Sequence, residues 1–369
     1  MTQRPDLTRR VPELDGLRGL AILLVLAWHL LPSALADAPP RLLHLTNSVI
    51  RFGWSGVDLF FVLSGFLLGG ILLDHRGSTR YFRTFYVRRF YRILPAYAVI
   101  VAIFLLLLGT TPSPAFAWLF EPRMPIWSYL TFTQNFAMAR AGAFGAQWLG
   151  PTWSLAVEEQ FYLILPLVIR FVPPRALWIV LTIMAALAPV TRTALFLLGA
   201  HGGMSGTVLM PARADALMLG VLAALALRSP SFRATLDTRR PLFYGALAVL
   251  SLAIVGMAVM RDSQGTPRML FYGYSVLALF YTTVLLLAVT ADRGETLGQL
   301  LRWPVLRRTG TLAYAIYLLH VPLMGLVSGL IPSRAIAGAI AAAATFIVAS
   351  WSWEYFEKPF VERGHRHHY

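Results

Sequence analysis

The sequence predicts an all-α integral membrane protein of about ten transmembrane helices, with both termini cytoplasmic. Three observations carry that expectation. Hydrophobic residues make up 57% of the 369 positions and charged residues only 13%, against roughly 25% charged in a soluble domain. The apolar residues gather in runs of about 20, the length a helix needs to cross a bilayer. The basic residues, which give a net charge of +15, are shared unequally between alternate connections.

Taken in order, the runs lie at about 17–35, 54–74, 92–109, 153–170, 176–198, 209–227, 241–260, 270–290, 311–331 and 335–356. With the N-terminus inside, the inner segments hold 22 Lys and Arg and the outer segments 8, namely Arg41, Arg51, Arg123, Arg140, Arg192, Arg261, Arg268 and Arg334. Arg18 and Arg213 fall within spans. This bias follows the positive-inside rule and accounts for a charge that would otherwise suggest nucleic acid. The expected partner is therefore the lipid bilayer of the plasma or inner membrane, with no nucleic acid.

The stretch 110–152 is expected to be an outer loop with an interfacial or re-entrant piece, rich in Trp118, Trp127 and Trp148, with Trp153 just beyond. Arg123 and Arg140 stand too close together for a spanning helix between them, and a span there would invert every later loop. Arg9 and Arg10, the first apolar run and the small residues at 33–38 also fit a cleavable secretory signal. Arg18 argues against it by interrupting the approach to the apolar run. No repeat, linker or appended soluble domain is visible, so 1–369 reads as a single transmembrane domain. The absence of cysteine excludes disulfides, thiolate catalysis and Cys-ligated zinc.

Ionisable residues inside spans are costly and mark sites or pathways. Arg18 and His29 are eleven residues apart, which brings both to one helix face, about 16 Å apart along the axis. Arg88, Arg89 and Arg92 stand at the inner mouth of the third span. Asp58, Glu158, Glu159, Arg213 and Asp215 lie towards the outer ends of theirs. Together these groups are expected to line a path from a cationic inner mouth to an outer site holding a histidine and carboxylates.

The motifs follow a definite order. Asp15-Gly16-Leu17-Arg18-Gly19 precedes His29, and Gly56-Val57-Asp58-Leu59-Phe60-Phe61 opens the second span. Arg88-Arg89-Phe90-Tyr91-Arg92 and Thr152-Trp153-Ser154-Leu155-Ala156-Val157-Glu158-Glu159 come next. Arg213-Ala214-Asp215, Tyr317-Leu318-Leu319-His320 and Glu354-Tyr355-Phe356-Glu357-Lys358-Pro359 complete the set. As a whole it resembles the acyltransferase 3 family of integral membrane acyltransferases, and the resemblance covers essentially the entire chain. It implies a ten-helix domain that moves an acyl group, commonly acetyl, from cytoplasmic acyl-CoA to a hydroxyl, often of a cell-surface or exported carbohydrate. It further implies that Arg18 and His29 are the signature pair, that Arg89 and Arg92 are the Arg-x-x-Arg donor motif, and that Glu158 and Glu159 belong to the Trp-Ser-x-x-x-Glu-Glu segment. Some relatives append a hydrolase-like domain, so the expectation here is a separate partner for any such step.

The residues suit that chemistry on their own terms. Guanidinium forks grip phosphate with paired, charge-assisted hydrogen bonds, which makes Arg18, Arg88, Arg89 and Arg92 the candidates for binding the donor, with acetyl-CoA the expected one. Histidine exchanges protons near neutral pH. His29 is thus a candidate general base, or a nucleophile that relays the acyl group. Asp58 or Glu158 is expected to hold its far nitrogen, with Glu159 a further candidate and a structural pairing of either glutamate with Arg213 the alternative. Asp15 is expected to pair with Arg18. His320 is either a second acid-base group or an interhelical bond. Ser64 reads as a packing contact, and the His-rich tail from Gly364 as a solvated end. No metal is expected. The rival from another class is a proton-coupled transporter or flippase using the His, Asp and Glu chain as a relay, which would call for repeats that the sequence does not display.

Overall fold

The computed structural model describes residues 11–35, 39, 50, 52–110, 114–199, 203–292 and 294–369. Arg4, Arg9, Arg10, Arg41, Arg51 and Arg293 of the charge count lie outside the described residues, as do residues 36–38 of the small-residue stretch.

Ten long helices make up the described bundle: α1 Pro12–Ala34, α2 Gly56–Asp74, α3 Tyr81–Leu108, α4 Trp153–Phe171, α5 Pro174–Leu197, α6 Met210–Ala226, α7 Arg240–Val259, α8 Tyr274–Val289, α9 Pro304–Leu330 and α10 Arg334–Ser352. Several open where the sequence removes an unsatisfied donor or supplies an acceptor. Pro12, Pro174 and Pro304 sit at first helical positions, where the missing N–H would have no partner anyway. Ser333 accepts a hydrogen bond from the Ile336 amide at the head of α10. Among the described residues, nine helical segments are long and apolar enough to cross a membrane. The expected fourth span, α4, is not among them because Glu158, Glu159 and Arg170 all fall within its 19 residues.

α2 and α6 form the buried centre, and of α7 only Met257 is buried. The close approach of α2 and α6 depends on two glycines. A Cβ on Gly65 would collide with the Leu217 carbonyl, and one on Gly220 with that of Val62, the small-residue packing that lets helices touch where water offers no hydrophobic drive.

Two helices outrun their expected spans by more than two turns. α3 starts eleven residues before the apolar stretch, so Arg88, Arg89 and Arg92 stand on its first turns rather than in a loop. After α10 the chain makes a π-helical turn, Trp353–Glu357, and runs on as Lys358–His365. Both extensions are polar and were invisible to a search for apolar runs. They pack against each other, Gly364 lying close to Tyr91.

The 110–152 region contains only short pieces among its described residues, including Ala117–Phe120, Ile126–Leu130 and Gln134–Ala141. None is long enough to cross. Buried amides hold the region against the bundle. Asn135 and Gln160 exchange hydrogen bonds of 3.2 and 2.9 Å, Gln160 also donates to the Phe132 carbonyl at 3.0 Å, and Gln134 donates to that of Thr152 at 2.9 Å. Non-helical backbone at membrane depth survives only where protein satisfies it in this way. Trp118 and Trp127 are exposed, but Trp148 and Trp153 are buried, so only the first two are available to a membrane interface.

Candidate active site

At the end of the bundle where α1 starts and α2 finishes, a cavity of about 780 Å³ opens. Arg18, Arg88, Arg89, Arg92, Arg228, Arg308 and Lys358 line it, against Asp15, Asp74 and Glu362. Several of these cations are already committed. Arg18 lies 3.5 Å from Asp15 as expected, Arg228 pairs with Asp74, and Lys358 meets Glu354 at 2.8 Å. Arg88 donates to the His367 carbonyl at 2.9 Å. Arg92 sits 3.7 Å from Glu357 and faces the rings of Tyr314 and Trp353 at 5.5 and 5.4 Å, positions set by the π-helical turn. Arg89 and Arg308 have no hydrogen-bond or ion-pair partner among the described residues. A mouth with surplus cations, two of them uncommitted, is suited to phosphate groups.

A narrower tunnel of about 140 Å³ continues inward, sharing Arg18, Arg89, Arg92, Leu67 and Gly310 with the mouth. Its walls are largely apolar, with Phe60, Phe61 and Leu63 on one side and Ile93, Ala313 and Tyr314 on another. Glu158 and Ser64 meet within it at 2.5 Å, so Ser64 is a hydrogen-bond donor as well as a packing residue. At its far end the Ser154 and Tyr317 hydroxyls lie 2.6 Å apart, and Tyr317 donates to the Pro151 carbonyl at 2.7 Å.

His29 lies beyond that collar and lines neither the mouth nor the tunnel. Its Nδ1 is 2.9 Å from the Val25 carbonyl. A carbonyl can only accept, so Nδ1 carries the proton and the lone pair resides on Nε2. No carboxylate touches this histidine among the described residues, which corrects the expected partnership with Asp58 or Glu158. Asp58 instead accepts from Arg213, and Glu158 from Ser64. The ring beside His29 is that of His320, with centres 4.8 Å apart. Helical spacing placed these groups on faces, but which neighbour each face meets depends on how the helices are rotated against one another.

Asp58 and Arg213 stand apart from the tunnel, both about 1% exposed. The Arg213 guanidinium also lies 3.8 Å from the centre of the Tyr274 ring, a favourable contact for a desolvated cation. Next to this pair Arg192 reaches Asp215 and Ser275 at 2.8 and 2.7 Å and is itself fully buried. Its place among outer topological charges is therefore also corrected: it is a core ion-pair residue. The alternative pairing of Glu158 or Glu159 with Arg213 is not formed. Glu159 has a buried oxygen without a partner and joins neither the mouth nor the tunnel. At the opposite end of the bundle a separate cavity of about 640 Å³ is lined by Trp28, Trp54, Phe144, Thr207, Asp262 and Gln264, among others.

Residues 11–354 match the family model described as an acyltransferase domain. The chain belongs to this acyltransferase family. Among its relatives, YrhL of Bacillus subtilis, provisionally named a peptidoglycan O-acetyltransferase, is 30% identical over 97% of the chain and 56% of its own length. The peptidoglycan O-acetyltransferase OatA of Listeria monocytogenes is 28% identical over 96% of the chain and 56% of its own length. The chain thus spans little more than half the length of these curated relatives. No solved structure matches it. The mouth also includes Arg228 and Arg308, which enter the charge count only as inner-segment charges; nothing in their spacing distinguishes them from arginines that set topology.

Proposed function

We propose that the chain is a membrane O-acetyltransferase that takes an acetyl group from acetyl-CoA at the basic mouth and passes it to a hydroxyl of a cell-envelope glycan. The observation that carries this reading is the continuity of the cationic mouth with a narrow, mostly apolar tunnel. The two chambers suit the phosphate-rich head and the slender thioester arm of coenzyme A respectively. Peptidoglycan is the acceptor in the names of the relatives, and the Trp28 and Trp54 cavity at the other end offers aromatic faces and polar side chains to a sugar.

In this mechanism the acceptor oxygen attacks the thioester carbonyl carbon while its proton moves to Nε2 of His29. The C–S bond then breaks, and the proton goes to the departing sulfur. The Val25 carbonyl fixes the tautomer that a carboxylate would otherwise fix. The same free nitrogen would serve if His29 accepted the acetyl group first and relayed it. Family membership favours acyl transfer over a transporter.

The excess of Lys and Arg on the segments at this end supports a cytoplasmic mouth. In vesicles of known orientation, membrane-impermeant acetyl-CoA should be consumed only when supplied to the face bearing the mouth. Equal turnover from both faces would overturn the sided path. Arg89→Lys keeps the charge but loses the paired donors, so acetyl-CoA binding measured by calorimetry should weaken by about tenfold or more. Unchanged affinity would assign Arg89 to topology alone.

A further inference from the structure

His320 lies on α9 and is completely buried. Its Nδ1 is 2.8 Å from the Tyr317 carbonyl and 3.1 Å from that of Ile316. As with His29, these carbonyls oblige Nδ1 to carry the proton, which leaves a bare lone pair on Nε2. That nitrogen is buried and has no partner among the described residues. Two neutral imidazoles locked into the same tautomer therefore sit side by side, their ring centres 4.8 Å apart at 69°, with no hydrogen bond between them because neither Nε2 carries a proton. The remaining neighbours offer little competition for one. Val57 and Phe60 of α2 pack into the neighbouring apolar cluster, α10 has no titratable residue between 335 and 352, and among the described residues the one other titratable ring in contact is Tyr317 at 5.8 Å.

We propose that His320 is the proton-holding partner of His29. The inference rests on the reading that His29 acts in transfer, and gives His320 the part that a carboxylate was expected to play. When the acceptor hydroxyl attacks the thioester, the O–C bond forms and the hydroxyl proton goes to Nε2 of His29. That single proton supplies what the pair lacks: a donor on one Nε2 facing an acceptor on the other, within reach once the rings turn edge to edge. The shared proton stays between the two nitrogens until the C–S bond breaks, and it then passes to the departing sulfur as coenzyme A thiol. No proton is lost or gained overall, and His320 acts through His29 without touching the reacting atoms. His320 is thus a positioning residue whose Nε2 matters, whereas a purely structural histidine would need only its Nδ1.

The two roles are separable with His320→Asn, whose amide can reproduce the Nδ1 bond to the backbone but has nothing in place of Nε2. With the full chain in detergent, turnover is read as thiol released from acetyl-CoA in the presence of a β-1,4-linked N-acetylglucosamine oligomer. The chain has no cysteine to obscure that signal. His320→Asn should lower kcat by about 100-fold, leave KM for acetyl-CoA within about two-fold, and regain activity with added imidazole. Wild-type protein labelled with ¹⁵N-histidine should show, as it is acidified, a nitrogen–nitrogen coupling across a hydrogen bond between His29 and His320 that His320→Asn abolishes. The wild-type spectrum by itself needs neither an acceptor nor a variant that folds, and absence of the coupling there overturns the proposal. So does wild-type kcat in His320→Asn while His29→Ala is inactive. Full activity in both variants would instead remove the role of His29 on which the inference stands.

Discussion

His29→Ala should give a chain that still inserts and folds but transfers acetyl groups about 10²- to 10⁴-fold more slowly, the range that removal of a general base produces. Folding is expected to survive because, among the described residues, the side chain bonds only to the Val25 carbonyl of its own helix, which the helical backbone continues to satisfy. The loss should fall on kcat and leave KM for the donor nearly unchanged, since His29 lines neither the basic mouth nor the tunnel. Steady-state thiol release, set beside a melting curve of the same preparation, checks both halves. Near-wild-type turnover in a folded variant would sink the mechanism.

Replacing Arg213 with Leu should have the largest effect on stability. The guanidinium and the Asp58 carboxylate are each about 1% exposed, and removing one member strands the other in a dry interior at a cost of about 3–5 kcal/mol. Asp58→Leu combined with Arg213→Leu removes both charges and should recover most of that loss. Unfolding of the single and double variants in a common detergent gives the coupling energy directly. A double variant no more stable than Arg213→Leu would show that the pair does not hold the helices together. If the double variant folds but fails to turn over, Asp58 matters to transfer in a way that its distance from the tunnel does not suggest.

Much of this architecture could be read in advance because a bilayer demands long apolar helices, and such runs are conspicuous. The two polar extensions, Tyr81 to Arg92 and the helix after Glu357, were missed for the same reason: they owe their place to packing against each other and not to hydropathy. The site was legible residue by residue but not pair by pair. Arg18, Arg89, Arg92 and Glu158 do converge on one tunnel. Yet helical periodicity assigns a face and says nothing of the neighbour it meets, so Asp58 and Glu158 stand as alternative partners for His29 when Asp58 belongs to Arg213 and Glu158 to Ser64, and His320 is a minor candidate although it stands beside His29. Arg192 was read as a loop charge because its partner Asp215 lies on another helix.

The hydroxyl collar also bears on the electrical state of the membrane. Cavities open at both ends of the bundle without sharing a lining residue, and at the far end of the tunnel Ser154, Tyr317 and the Pro151 carbonyl are joined by bonds of 2.6 and 2.7 Å. Each charge that slipped through would dissipate about 2.3 kcal/mol per 100 mV of membrane potential. An acetyl group is neutral. If the proposed transfer runs between these two chambers, the bundle would deliver acetyl to the outer surface without opening a continuous path for ions.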